Sequence, residues 1–425
     1  MSENRLLTRL DQAGLDAIVR KHGMFRAARM GGARAMLAGH DLSQLSLRGQ
    51  DLSHADFSGA VLYQTDLRDT KLDYCALFSA DLRLANLQNA SMVRADLRGA
   101  CLRGAILINA DMTGVDLREG FLTSADEEGN LKSVHDDLTA SDSGGADLSG
   151  ANLTDARLSG AVAIDTNFSD ATMKGCKIVR ASLQGANFQG ANLENADLSM
   201  CDLRTANMKG AVLVNVALSL ANLENANLAG ALTSTPVGPT VNDLPMPLEE
   251  MMRLHTLWVG SNGQQGVRLD VSKFDLRGGA NFGHACLTML RAVGSMLYGL
   301  NFADAQLQAA DLHDADLRHA DFLSADMRGI NLRGAKVSNA NLQGAQLQPL
   351  IIGGERSVIT DLSKTSLRYA NLSGASMRQV NCRGADLSYS NLLGTDLTDA
   401  DLTDAKLEGA RLNPSQQALL DNKSE

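Results

Sequence analysis

The stretch Ala186-Asn-Phe-Gln-Gly-Ala-Asn-Leu-Glu-Asn-Ala-Asp-Leu198 repeats one five-residue unit, Ala-(Asp/Asn)-Leu-x-x. An apolar centre follows Asp or Asn, and a small residue stands two positions before it. Outward from this stretch, centres recur at every fifth position from Leu148 through Leu228, with Ala163 the one weak member. An earlier run holds from Leu42 to Leu122, seventeen centres without a failure, one residue out of phase with the later one. A third run extends from Phe282 to Leu412 and keeps its phase across the degenerate Ile351-Ile-Gly-Gly-Glu-Arg-Ser-Val358.

Neither a helix of period 3.6 nor a strand of period 2 keeps one residue type inward at a strict spacing of five. A chain that turns a corner every five residues does. Four such sides close a coil of twenty residues, with centre and small residue facing inward, and stacked coils rise by roughly one strand spacing, about 4.8 Å. Residues twenty apart then stack. The position before the centre reads Asp147, Asn167, Asn187, Asn207, Asn227 in the second run and Asn281, Asn301, Asp321, Asn341, Asp361, Asn381, Asp401 in the third. Columns this pure are what side-chain amide ladders between stacked strands favour.

The tandem Ala-(Asp/Asn)-Leu-x-x units resemble the pentapeptide-repeat family, whose members form quadrilateral β-helices. The resemblance implies an all-β fold, a right-handed quadrilateral parallel β-solenoid. Beside it stands a second signal, an internal duplication. Leu15-x-x-Ile18-Val-Arg-Lys-His22 aligns with Leu248-x-x-Met251-Met-Arg-Leu-His255, Gly32-Ala-Arg34 with Gly266-Val-Arg268, and Asp41-Leu42 with Asp275-Leu276. The chain therefore reads as two tandem modules with short α-helical caps, because the first coil of a solenoid presents unpaired backbone groups that something must cover. Residues 1–40 form the N-terminal helical cap, with a helix near 5–29. Residues 41–232 form the first solenoid, interrupted by an insertion at 123–145. Four of the six prolines, Pro236, Pro239, Pro245 and Pro247, mark a linker at 233–247. Residues 248–268 are the second cap, with a helix at 248–260. The second solenoid spans 269–412, and 413–425 close the far end.

Composition agrees with a slender core. Apolar residues make up 44% and aromatics only 4%, and the large rings that fill wide cores are scarce. No run approaches the ~18 apolar residues that span a bilayer, and the opening MSENRLLTRLDQ lacks the apolar core of a signal peptide, so a cytoplasmic chain is expected. The six cysteines show no CxxC spacing and read as free thiols. No metal-ligand spacing joins the histidines to them, the Asp residues are accounted for by their place in the unit, and Gly353-Gly354 lacks the Lys-Ser/Thr of a phosphate loop. No catalytic, cofactor or metal residues are expected, and the chain reads as a non-enzyme. His22 and His255, equivalent in the duplication, read as packing residues, and His313 and His319 as solvated ones.

The expected function is a protein–protein interaction scaffold with a protein partner, without direct nucleic-acid contact or a membrane span. Self-association through caps or solenoid faces stays open beside it. Candidate contact residues are Asp126, Glu127, Glu128, His135, Asp136 and Asp137 in the insertion, which holds six acids and one Lys against a net charge of −10 for the chain. Tyr369 and Tyr389, twenty residues apart, should stack as an exposed pair, and Leu290, Tyr298 and Leu350-Ile351 add outward apolar surface. The alternative is implied by the resemblance: some members mimic duplex DNA and inhibit or protect DNA gyrase. Mimicry needs a continuous acidic face, and residues 42–122 carry ten acids with eight bases, a mixed surface.

Overall fold

The computed structural model describes residues 7–118, 145–354, 356–414 and 416. The chain divides into two compact units, Met1–Ser234 and Thr235–Glu425, each wound from short parallel bridges. In the first, Asp41 pairs with Val61, Val61 with Asp81 and Asp81 with Cys101; in the second, Asn301 pairs with Asp321 and Asp321 with Asn341. Each partner lies twenty residues on, so four five-residue sides make one turn. Leu62, Leu67, Leu72 and Leu77, one from each side of a coil, are at most 1% exposed, as a lumen of this width requires.

The corners explain the period. Two residues past each centre the backbone is left-handed, as at Gln64 (φ 55°), Asp69 (φ 60°), Tyr74 (φ 57°) and Ser79 (φ 52°). This conformation costs a residue with a Cβ about 1–2 kcal/mol, so Gly, Asn and Asp are frequent there. Backbone groups on each side find partners in the coils above and below: the Leu62 N–H donates to the Asp81 carbonyl at 2.7 Å, and the Asp81 N–H to the Ala60 carbonyl at 2.9 Å.

Asp and Asn precede the centre for a local and a vertical reason. Their Oδ1 accepts the backbone N–H two residues on, from Ser58 at Asp56 (2.9 Å) and from Gln88 at Asn86 (3.1 Å), and so fixes the corner. Their amides also ladder between coils. Asn167 donates to Asp147 (2.9 Å), Asn187 to Asn167 (3.1 Å), Asn207 to Asn187 (3.0 Å) and Asn227 to Asn207 (3.3 Å).

An Arg just past the centre folds back onto the same carboxylate. Arg68 donates through Nε and Nη2 to the two oxygens of Asp66 at 2.8 and 2.7 Å, and Arg83, Arg98 and Arg204 repeat the fork on Asp81, Asp96 and Asp202. Hydrogen bonds from the Arg hold the carboxyls of Asp66, Asp96 and Asp202 below the usual carboxylate range. A depressed carboxyl stabilises the fold above its unfolded value, about 3.9, and that contribution is lost as pH falls through the lower folded value. Thermal stability is therefore expected to be insensitive to these groups above about pH 4.5 and to drop below about pH 4, read by circular dichroism melts. A drop already complete at about pH 5 would contradict the assignment.

Among the described residues, three places depart from strict twenty. Ile106 pairs with Asp147, forty-one residues on, so the insertion returns the chain one residue out of phase. Asp270 pairs with Arg291 and Asp275 with Met296, which places one extra residue after Leu276. In the second unit a two-stranded antiparallel hairpin, strands Leu350–Ile351 and Ser357–Val358, stands out of the coil. Across it Asn331 pairs with Asp361 and Asn341 with Asn371. The expected column through Asn341 and Asp361 is therefore corrected: Asp361 stacks on Asn331, because the hairpin adds ten residues. Ten is a multiple of five, so the inward pattern survives while the column shifts by two sides.

Each unit opens with a helix. In the first, α1 spans Gln12–Arg26, with the Asp11 side chain accepting from the Gly14 N–H and with Leu15 and His22 buried. It is shorter than the expected 5–29, because Thr8–Arg9 (β1) instead pairs in parallel with His40–Asp41 (β2) on the first coil. In the second, α2 spans Leu248–Gly260, with Glu249 and Glu250 in its first turn and His255 buried, and its Leu248, Met251 and Met252 pack on the lumen residues. The proline-rich segment is not a free tether. Thr240 bridges to Asp275, and the Asp275 N–H donates to the Pro239 carbonyl at 2.7 Å. At the far end the Gln416 side chain donates to the Leu392 and Thr395 carbonyls at 2.7 Å each.

Candidate interaction surfaces

Residues 126, 127, 128, 135, 136 and 137 lie outside the described residues. Tyr369 and Tyr389 do stack, ring centroids 5.2 Å apart at 7°. They are not exposed as expected but half-buried. The Arg368 guanidinium lies 5.4 and 5.6 Å from the two ring centroids, and the Tyr389 hydroxyl donates to Glu408 at 3.1 Å. Pinned in this way, the pair is a rung-to-rung support of the corner, where stacked rings and a cation add to strand pairing.

Two other residues expected at the surface are buried, Leu290 in the lumen and Tyr298 outside it against His319. Leu290 is 1% exposed and Tyr298 is buried. Leu290 holds the small-residue position beside the centre Ala292, so large and small have exchanged places and the lumen volume is kept. His313 and His319 are half-buried rather than solvated: His313 Nδ1 lies 2.7 Å from Asp311, and His319 meets the Tyr298 ring edge-on.

What does face outward in the second unit is the hairpin. Leu350 and Val358 close over Gly329, where any Cβ would touch them, while Ile351, Ile352 and Ile359 are 74%, 52% and 58% exposed. Beside it runs a surface groove of about 430 Å³ with Ile359, Asp361, Asn381, Arg383, Asp399 and Asp401 among its lining. In the first unit Tyr74 and Phe78 are each half-exposed; Tyr74 stacks on His54 at 5.1 Å, and Arg98 lies 5.8 Å from the Phe78 ring centroid. A sequence reading finds the hairpin only as a break in the repeat, since two isoleucines in a degenerate stretch and a third just after it do not reveal which way they point.

The remaining chemistry is quiet. A lumen cavity of about 40 Å³ lies beside Ala163, lined by apolar residues including Leu102, Leu148 and Phe168. Burial pushes the Cys75, Cys176 and Cys382 thiols up to about 12 and Cys201 to about 11, which makes poor nucleophiles of them. Cys75, Cys176 and Cys201 donate to carbonyls of Leu52, Leu153 and Ile178 in the coil beneath. Among the described residues no group of three or more His, Cys, Asp and Glu is placed to hold a metal ion, and no helix is long and apolar enough to cross a membrane.

Comparison with solved structures finds a trypsin-treated variant of QnrB1, a plasmid-mediated fluoroquinolone resistance protein, at 21% identity over 47% of this chain and 87% of that one, TM-score 0.24. HetL, a pentapeptide repeat protein involved in heterocyst differentiation regulation in the cyanobacterium Nostoc, matches at 21% identity over 94% and 96%, TM-score 0.16. Rfr23, from the cyanobacterium Cyanothece, matches at 23% identity over 35% and 83%, TM-score 0.11. No curated protein sequence matches. The family model for pentapeptide repeats matches eight times, at residues 34–75, 80–119, 144–178, 179–210, 201–232, 310–348, 360–381 and 381–413. With more than half of its length in these matches, the chain belongs to the pentapeptide-repeat family of right-handed β-helix solenoids.

Proposed function

We propose that this protein is a non-enzymatic scaffold that presents rigid solenoid faces to a protein partner, built as two modules whose first coils are covered by α1 and α2. The observation that carries the reading is the hairpin. Three isoleucines held clear of a packed coil cost solvation without serving the lumen, and exposed apolar groups on a rigid frame are what a partner buries. Buried, high-pKa thiols suit a cytoplasmic setting. The Asp–Arg forks favour this reading over gyrase-directed DNA mimicry, because a carboxylate closed by its own guanidinium offers little phosphate-like charge.

Affinity capture from the native cell, with the intact chain and with Ile351→Ser/Ile352→Ser/Ile359→Ser, tests the proposal. A protein retained by the first and lost from the second is expected, with unchanged circular dichroism. No retained protein in either arm would remove the support for a scaffold. Supercoiling by DNA gyrase should be unaffected by the purified protein, and inhibition would favour mimicry.

A further inference from the structure

His22 and His255 occupy the same place in the two units and make the same unusual bond. Each sits on the buried face of its helix and is 0% exposed. The Ala35 N–H donates to His22 Nδ1 at 3.0 Å, and the Leu269 N–H donates to His255 Nδ1 at 3.0 Å. A backbone amide has only a donor to offer, so Nδ1 must carry a lone pair and the ring proton must sit on Nε2. Among the described residues neither Nε2 has a hydrogen-bond partner at bonding geometry, although the nearby backbone groups of Ser53 and Thr288 favour the protonated ring.

We propose that these two imidazoles are paired acid-sensitive latches, holding α1 and α2 on their first coils when neutral and releasing them when protonated. A proton on Nδ1 would set N–H against N–H, break this polar tie to the helix, and leave a charge in a buried site. The surroundings offset that cost only in part. Around His22 stand Arg26 of the helix, Arg34 of the Gly-rich turn and Asp51 of the coil, and Asp51 is already engaged by Arg26 at 3.4 Å. Around His255 the charged neighbour is Arg268, with Trp258 stacked at 5.8 Å and, among the described residues, no carboxylate acting on it. Burial accordingly lowers both imidazoles below the ordinary value.

The sign follows. Above the released value, about 6.5, both states are neutral and docking is at full strength. As pH falls below it, the released helix binds a proton that the docked one cannot, and each latch weakens about tenfold per pH unit. The second unit, lacking a counterpart of Asp51, should keep weakening over the wider range. This window lies above the carboxylate window of the solenoid, so release precedes acid unfolding. Release would bare Leu15 and the partly buried Ile18, Val19, Met251 and Met252, with the edges of both first coils.

Hydrogen–deuterium exchange on the intact chain, corrected for intrinsic rates, tests this between about pH 7.5 and about pH 5. Amides of residues 12–26 and 248–260 should lose at least about tenfold in protection, while amides of lumen-facing Leu82 and Phe302 should not change. In His22→Asn/His255→Asn, whose Oδ1 stands where Nδ1 did and accepts the same N–H without titrating, protection should persist at about pH 5. Helix protection independent of pH in the parent chain would overturn the proposal, as would the same loss in the Asn variant. Should that variant fail to fold, nitrogen-detected NMR of the parent chain decides. Two Nε2–H imidazoles titrating well below the other histidines support the latch, and titration alongside them refutes it.

Discussion

Phe302→Ala is expected to destabilise the second unit by about 3–5 kcal/mol, the range for deleting a buried ring whose site cannot collapse. Phe302 is 0% exposed and lies between Phe282, 5.1 Å below at 13°, and Phe322, 4.9 Å above at 10°. Collapse is blocked by the ladder. The Phe282 N–H donates to the Asn301 carbonyl at 2.9 Å and the Phe302 N–H to the Asp321 carbonyl at 2.6 Å, which fixes the spacing of the coils whatever fills them. Phe302→Leu, nearly conserving volume and matching the commonest centre, should cost less than about 1.5 kcal/mol. Because a repeat array need not unfold in one step, exchange protection coil by coil is the measurement, with amides of residues 42–112 as the internal reference. Equal effects of Ala and Leu would mean that the lumen is not close-packed at this level.

This dependence on lumen volume explains what could be read from the chain. Which side chain faces inward is a local matter, settled within five residues by the corner and the Asp or Asn before each centre, so the period fixed the core directly. Coil membership depends on counting to twenty through every interruption. A hairpin that adds ten residues keeps the count by fives and misplaces Asp361 by two sides. Size was equally misleading where neighbours compensate: Leu290 was expected at the surface, yet it is buried beside the small centre Ala292. Ala163 has Ala161 in its small-residue position, and a cavity of about 40 Å³ lies beside the two. The stacking of Tyr369 on Tyr389 was legible from spacing, whereas its cover by Arg368 was not, since a guanidinium reaching two rings depends on rotamers.

Gly266→Ala is the second large effect, expected to cost about 3 kcal/mol and to loosen α2 rather than the solenoid. Gly266 has φ 77°, and a Cβ there would fall on the Leu254 carbonyl oxygen and close to the Trp258 amide nitrogen. Both are helix backbone and cannot rotate away. The left-handed conformation alone costs about 1–2 kcal/mol, and Gly278→Ala isolates that part, since Gly278 has φ 74° with nothing within 4 Å of its added Cβ. The excess of the first substitution over the second measures how tightly the turn is pressed on the helix. The loss should propagate, because Arg268 bonds the Met289 carbonyl at 2.5 Å and Leu269 is the donor to His255, and both lie within three residues of Gly266. Melting of residues 248–260 by exchange, with residues 301–347 unchanged, is the expected result. If Gly266→Ala behaves like Gly278→Ala, the helix is not held by this turn, and its docking must rest on the His255 bond and the apolar contacts of Leu248, Met251 and Met252.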